Sequence, residues 1–421
     1  MEAASITRIA FPEVGRDAWL ASLGAAAQEA GHEAWHVRAA RAPAFRAPLG
    51  AGPYLQRIDE RDPLEANRRA RAALDAGASG LAIVFEDTAI SFGGGLPASS
   101  EALAAALEGL PLNRVRLRLD PHPASRQSVD WLVQILSQRR LDPGRLNLAF
   151  GLDPAAIFAG GGRLNMSLEA LEASLPQSIG HFFALGVPAL LLEADARVAH
   201  NAGASPAREL GAALAAAVMH LRMFETARQP LVYAAPHIGF TVAADTDAYL
   251  SAVKVAALRA TWRKAQQICA IEPSTAWVHA STSHRLTGGS DDGVQIAAVL
   301  GATLAGADTV AAHRSLPVEA IRTLDAALSG IAARPGSRLA ADAGDIAALA
   351  DDAWREFLTL EAEGGILYSL AAGALQRRVA ADLHAYETGE PATLDAPAAS
   401  ARRAGEATFT CEPLVSVGPS G

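Results

Sequence analysis

Short apolar runs alternate along this chain with longer stretches in which apolar residues recur at helical spacing. The runs predict strands at Leu81–Phe85, Val115–Leu119, Leu146–Phe150, Ala189–Glu193, Leu231–Ala234, Ala276–Ala280 and Thr309–Ala312, with a further one at Leu55–Ile58. Between them the spacing predicts helices over Pro63–Ala76, Arg126–Gln138, Leu168–Leu185, Pro206–Phe224, Thr246–Ala270 and Gly293–Ala305. Proline or glycine marks most joints, as at Asp120–Pro121–His122–Pro123 and Asp153–Pro154. Repeated strand–helix alternation reads as parallel α/β, and about eight units suit a closed (β/α)8 TIM barrel; a doubly wound open sheet is the competing arrangement. The barrel is expected over residues 51–335. An N-terminal helix (Arg16–Ala30) and extended arm occupy 1–50. Helices at Pro317–Arg334, Asp345–Glu363 and Ile366–His384 lead into and form a C-terminal appendix over 336–388. A Pro-, Ala-, Ser- and Gly-rich flexible tail is expected over 389–421.

One strand alternates in an informative way. Val115, Leu117 and Leu119 share one face, while Arg114, Arg116 and Arg118 share the other. In a barrel the aliphatic face meets the helices, which turns the arginines into the lumen. Glu86, Glu193 and Asp195 point inward by the same parity. An anion site for a phosphorylated ligand is one reading. The other is an ion-pair network that plugs the lumen, because buried charges persist only when paired. Opposite charges at matching depth favour the plug.

Half of the 421 residues are hydrophobic and 19% are charged, enough apolar material for a large core. Aromatics are only 5%, and alanine supplies much of the apolar share, which suits closely packed helices. The net charge of −9 argues against nucleic acid as the main partner. Cys269 and Cys411 cannot build a disulfide framework or a zinc site alone, and fit a reducing cytoplasm. Residues 1–5 lack the pattern of a signal peptide, and the apolar stretch Phe182–Leu192 is too short for a bilayer.

Several motifs tempt. His32–Glu33–Ala34–Trp35–His36 has the H-E-x-x-H form that binds zinc on a helix. It follows Gly31, runs into Val37–Arg38 and has no third ligand in view, so it reads as chance and no metal is expected. Gly93–Gly95, Gly160–Gly162 and Gly288–Gly289 fall in loops after strands, where glycine can cradle phosphate, but none forms a nucleotide-binding string. Asp382–Leu383–His384 begins like the D-x-H-x-x-G loop that ligates cobalt, with Glu387 at the glycine position.

At His200–Asn201–Ala202–Gly203–Ala204–Ser205, followed by Glu209–Leu210, the chain resembles the methylmalonyl-CoA mutase family of adenosylcobalamin isomerases. Asp62–Pro63–Leu64–Glu65–Ala66–Asn67 and Ala76–Gly77–Ala78–Ser79–Gly80–Leu81 look like its first β/α unit. Lys254, Arg259 and Trp262 resemble its K-x-x-x-x-R-x-x-W helix, and His279–Ala280–Ser281–Thr282–Ser283 is similar to its H-S-Q-T-S strand end. Gly301–Asp308 and Glu363–Gly364–Gly365 match later signatures, and Phe11–Pro12 with Trp19 looks like the opening of the small, non-catalytic subunit. The resemblance implies a substrate-binding barrel for acyl-CoA.

Departures from that family shape the functional expectation. The tyrosine–histidine pair before its A-G-A-[ST] motif falls here on Arg197 and Val198, its first-strand tyrosine on Arg57, and a glutamine after the fourth strand on Gly151. Hydroxyl residues lining its coenzyme A tunnel become Arg116, Arg118, Leu191, Glu193 and Asp195. The resemblance therefore implies a catalytically degenerate, stabilising subunit with no catalytic residue and no cofactor of its own. Adenosylcobalamin is then expected on a partner, the large catalytic mutase subunit. An alternative is an acyl-CoA-binding subunit of a split mutase, with cobalamin from a separate cobalamin-binding protein and with His200, His279 and Arg197 as fallback catalytic residues. A third is a free-standing barrel for an acidic or phosphorylated small molecule. Substrate-binding candidates under these alternatives are Arg57, Arg116, Arg118, His237 and Ser281.

Overall fold

A computed structural model describes residues 52–390 and 410–418, except 123–124, 143, 145, 165, 185–188 and 334–337. Eight parallel strands pair in chain order: β1 (Leu55–Ile58), β2 (Gly80–Ile83), β3 (Arg116–Leu119), β4 (Asn147–Leu152), β5 (Ala189–Asp195), β6 (Ile238–Ala244), β7 (Trp277–Thr282) and β8 (Thr309–Ala311). The ring closes where Tyr54 bridges Val310, whose N–H donates to Pro53 O at 3.0 Å. This is the expected TIM barrel, not the open sheet.

The outer face of the ring is aliphatic. Leu81, Ile83, Leu117, Leu119, Phe240, Val278 and Val310 are buried against the surrounding helices. Alanine lets those helices approach closely: Ala212–Ala217 are all buried in the helix Pro206–Thr226, which packs against Ala343–Ala362 of the appendix. Aspartates start several helices. Asp62 accepts from Leu64 N–H at 3.0 Å, and Asp153 accepts from Ala155 N–H at 3.0 Å, each just ahead of a proline whose missing N–H is no loss there. Among the described residues, no helix is long and apolar enough to cross a membrane.

One expected strand is corrected. Leu231–Ala234 is a helical turn continuing into a 3₁₀ turn at Ala235–His237, and the sixth strand is Ile238–Ala244. Pro230 and Pro236 favour tight turns around the first segment, whereas all seven residues of the second are buried in the ladder between β5 and β7. The expected helix Ile366–His384 is broken into Ile366–Ala371 and Ala374–Thr388, because Gly373 adopts φ +67°. Short helices at Ser100–Ala106, Pro154–Gly161 and Arg197–Asn201 were not anticipated. Within the expected flexible tail, residues 410–418 lie against the barrel instead of trailing loose. The arm 1–50 and the His32–His36 string lie outside the described residues.

Candidate functional site

Strand parity brings charge into the lumen as expected. Arg118 on β3 reaches across to Glu193 on β5, donates to Thr241 Oγ1 on β6 at 3.0 Å, and pairs with Asp120 Oδ1 at 2.6 Å. Arg197, opening the short helix after β5, pairs with Asp195 Oδ2 at 2.6 Å and with Asp120 Oδ1 at 3.0 Å. Asp153 accepts from Asp195 N–H at 2.7 Å. All seven residues are at most 7% exposed.

The charges do not cancel one to one, since four carboxyls (Asp120, Asp153, Glu193, Asp195) face two guanidiniums. Burial raises the Asp120 carboxyl, but Arg197 and Arg118 outweigh it and hold that group far below the usual range. Asp153 sits against Asp195 with no arginine pairing it among the described residues, and burial pushes it up to about 8. Burial also outweighs Arg118 at Glu193, which rises to about 7. The surplus acids thus hold protons near neutrality. His279 on β7 shares this lumen: burial and then the fields of Arg118 and Arg197 lower it, keeping the ring neutral. Its Nδ1 meets Thr309 Oγ1 at 2.9 Å, and its buried Nε2 has no partner among the described residues.

Below this layer, a cavity lined by Leu55, Arg116, Arg118, Ala149, Trp277 and Thr309 offers about 20 Å³. That is room for roughly one water. Above it, the loops after β2 to β5 surround a cavity of about 260 Å³ lined by Thr88, Ile90, His122, Ile157, Arg163 and Asp195. A barrel places its ligands on this C-terminal rim.

A second buried cluster braces the barrel wall. His200 Nδ1 lies 3.0 Å from Glu209 Oε2 and its Nε2 lies 2.7 Å from Ser283 Oγ, while Lys254 Nζ meets Glu209 Oε2 at 2.6 Å. Burial raises Glu209, but Lys254 and His200 bring it down to about 2. Serine, histidine and glutamate in this order can form a nucleophilic relay. Here Ser283 is fully buried and its oxygen accepts from Leu286 N–H at 3.1 Å, while Glu209 also accepts from Ala243 N–H at 2.9 Å. The cluster ties β6 and the end of β7 to the helices that follow β5 and β6, and it lines neither cavity.

The other candidates scatter. Arg57 pairs with Asp59 at 2.7 Å and donates to Ile90 O and Ser91 O, pinning the loop after β2. Arg116 donates to Gly52 O at 2.9 Å at the lower end of the barrel. His237 precedes β6, also at the lower end, and Ser281 is buried on β7. Glu86 lies in the loop after β2, half-buried and outside the network. Asp120, Asp153 and Thr241 were not singled out. The two aspartates read only as Asp–Pro turn markers, and Thr241 belongs to the strand that was misplaced. Among the described residues, no group of three or more His, Cys, Asp or Glu side chains could hold a metal ion.

The family described as Methylmalonyl-CoA mutase matches residues 54–321 of this chain. A probable methylmalonyl-CoA mutase small subunit of Mycobacterium tuberculosis is 30% identical over 258 residues, covering 59% of this chain and 39% of that protein. The methylmalonyl-CoA mutase small subunit of Streptomyces virginiae is 27% identical over 354 residues, covering 79% of this chain and 55% of that protein. The chain thus spans between two fifths and just over half of these relatives' lengths. A dihydropteroate synthase from Coxiella burnetii overlaps 67% of this chain and 93% of its own at 14% identity, with a TM-score of 0.26 that carries no argument.

Proposed function

This chain belongs to the methylmalonyl-CoA mutase family, and from that premise we propose that it is a non-catalytic, stabilising subunit of a hetero-oligomeric mutase. Its partner, the large subunit, carries adenosylcobalamin and performs the acyl-CoA isomerisation. The observation that carries this reading is the Arg118 bridge across the lumen to Glu193, Asp120 and Thr241. Long charged side chains fill the channel that a pantetheine chain would thread, and the space beneath them is water-sized. Gly151 adds a second support. A Cβ there would lie 2.2 Å from Pro121 N, so the backbone after β3 leaves no room at this position for a glutamine or any other side chain.

Among the described residues, the string that resembles a cobalt-ligating loop does not fit cobalamin either. Asp382–Leu383–His384 lies inside the helix Ala374–Thr388, and Asp382 is engaged by Arg208 Nε at 2.7 Å and by Ser205 N–H at 2.7 Å. A carboxylate held in this way cannot orient a histidine toward a metal.

Calorimetric titration of succinyl-CoA and methylmalonyl-CoA into the purified chain tests the reading. No heat beyond dilution is expected at micromolar ligand, while affinity capture of the chain retains a large mutase subunit. Saturable micromolar binding would sink it.

A further inference from the structure

We propose that residues 410–418 form a strap which the chain lays across its own barrel mouth, so that anything docking on that rim must first displace it. Three backbone donors, evenly spaced, engage the ends of two short helices that follow different strands. Cys411 N–H donates to Gly162 O at 2.8 Å, Leu414 N–H to Ala159 O at 2.7 Å, and Val417 N–H to Asn201 O at 2.8 Å. Thr410 bridges Arg163 in antiparallel fashion. The strap thus joins the helix after β4 to the helix after β5. Ser416 Oγ, 3.3 Å from His284 Nδ1, extends the span to the loop after β7, and Gln376 holds Glu412 O from the appendix at 2.8 Å.

The side chains follow the same geometry. Leu414 is 6% exposed against the rim, while its neighbour Val415 is 70% exposed. Gly162 receives the strap: it sits at φ +71°, and a Cβ there would approach Cys411 O to 2.8 Å. A residue without a side chain is needed for this close approach. The strap borders the rim cavity at Arg163 and at the helix Pro154–Gly161. The lumen plug closes the barrel from within; the strap closes it from above by different contacts.

Two full-length variants test the strap. Val417→Pro removes the donor to Asn201 O, and Leu414→Asp sets a charge in the buried position. Val415→Asp, on the exposed side, is the control. Cys411 reports opening in a Cys269→Ser background, because its Sγ–H donates to Phe158 O at 3.3 Å and burial pushes the thiol up to about 12. In both test variants, thiol labelling of Cys411 is expected to quicken about tenfold or more, with faster deuterium uptake in residues 158–163 and 197–204. The control should match the parent, and thermal melting confirms that each variant is folded. If Cys411 in the parent already reacts like a free thiol, or if both folded test variants label and exchange at the parent's rate, the strap is refuted. Succinyl-CoA titrated into Val417→Pro separates the two readings. Binding there would overturn the plugged lumen and leave the strap standing.

Discussion

Replacing Arg118 with leucine removes the centre of the lumen network. Arg118 is 3% exposed and serves Glu193, Asp120 and Thr241 together. Its loss leaves four buried carboxyls facing Arg197 alone. Deleting one partner of a buried pair costs about 3–5 kcal/mol, because the remaining charge stays dry and uncompensated. Removing both partners is far cheaper, so Arg118→Leu with Glu193→Leu should return to within about 2 kcal/mol of the parent. The single variant should also depend on pH. Burial already places the folded-state Glu193 at about 7, above its unfolded value. Such a group contributes stability fully below the unfolded value, and that contribution is lost as pH rises through the folded one. Without Arg118 the loss deepens, so Arg118→Leu should be worst near about pH 8 and partly recover near about pH 6, where Glu193 is protonated. Urea unfolding followed by circular dichroism measures this as a shifted midpoint at unchanged slope. A single variant within about 1 kcal/mol of the parent, or a double variant no better than the single, would mean that these charges are solvated. The plug, and the function proposed from it, would then fail.

Asp153→Asn replaces a carboxyl that burial pushes up to about 8. Its folded value lies above its unfolded one, so the parent should lose stability as pH climbs through about 8, while the variant starts lower for want of one acceptor but shows a flatter alkaline limb in thermal melts. His220 is fully buried, neither ring nitrogen finds a partner among the described residues, and burial lowers it to about 3. That sign is opposite, with stability complete above about 6.5 and lost as pH falls toward about 3; His220→Leu should be neutral or stabilising at about pH 7.5 and lift the melting temperature near about pH 5, and an unchanged acid limb would count against it.

The ring of strands was legible because each crosses the barrel as a short apolar run between helical stretches, and seven of the eight runs were located from that pattern. The exception shows the limit of hydropathy. Leu231–Ala234 and Ile238–Ala244 are both apolar, and only the second has neighbours on both sides to accept its ladder. Adjacency of β5, β6 and β7 is a property of the closed ring, and no local pattern displays it. The break in the last long helix rests on a single glycine at φ +67°, and glycine inside a helical pattern is ambiguous until its backbone is seen.

The lumen was half legible for a related reason. Period-two alternation in β3 exposes Arg116 and Arg118 as an inward pair, since parity is local. Their fates then diverge with depth: Arg118 meets carboxyls from β5 and from the end of β3, while Arg116 ends on a backbone carbonyl at the barrel's foot. Which acids answer Arg118 depends on closure. Glu193 is 75 positions away along the chain, and Asp120 lies just beyond the strand, in a turn whose Asp–Pro form already explained itself. Asp153 hides behind the same explanation. It caps a helix, as an aspartate before proline should, and also takes the N–H of Asp195. One carboxylate serving two backbone donors beside further acids is pushed toward its neutral form by burial. Burial raises Glu193 as well, and with the neutral form favoured at both acids the four carboxyls come towards balance with two guanidiniums. That balance is a property of the packed network, and the chain's overall charge of −9 conveys none of it.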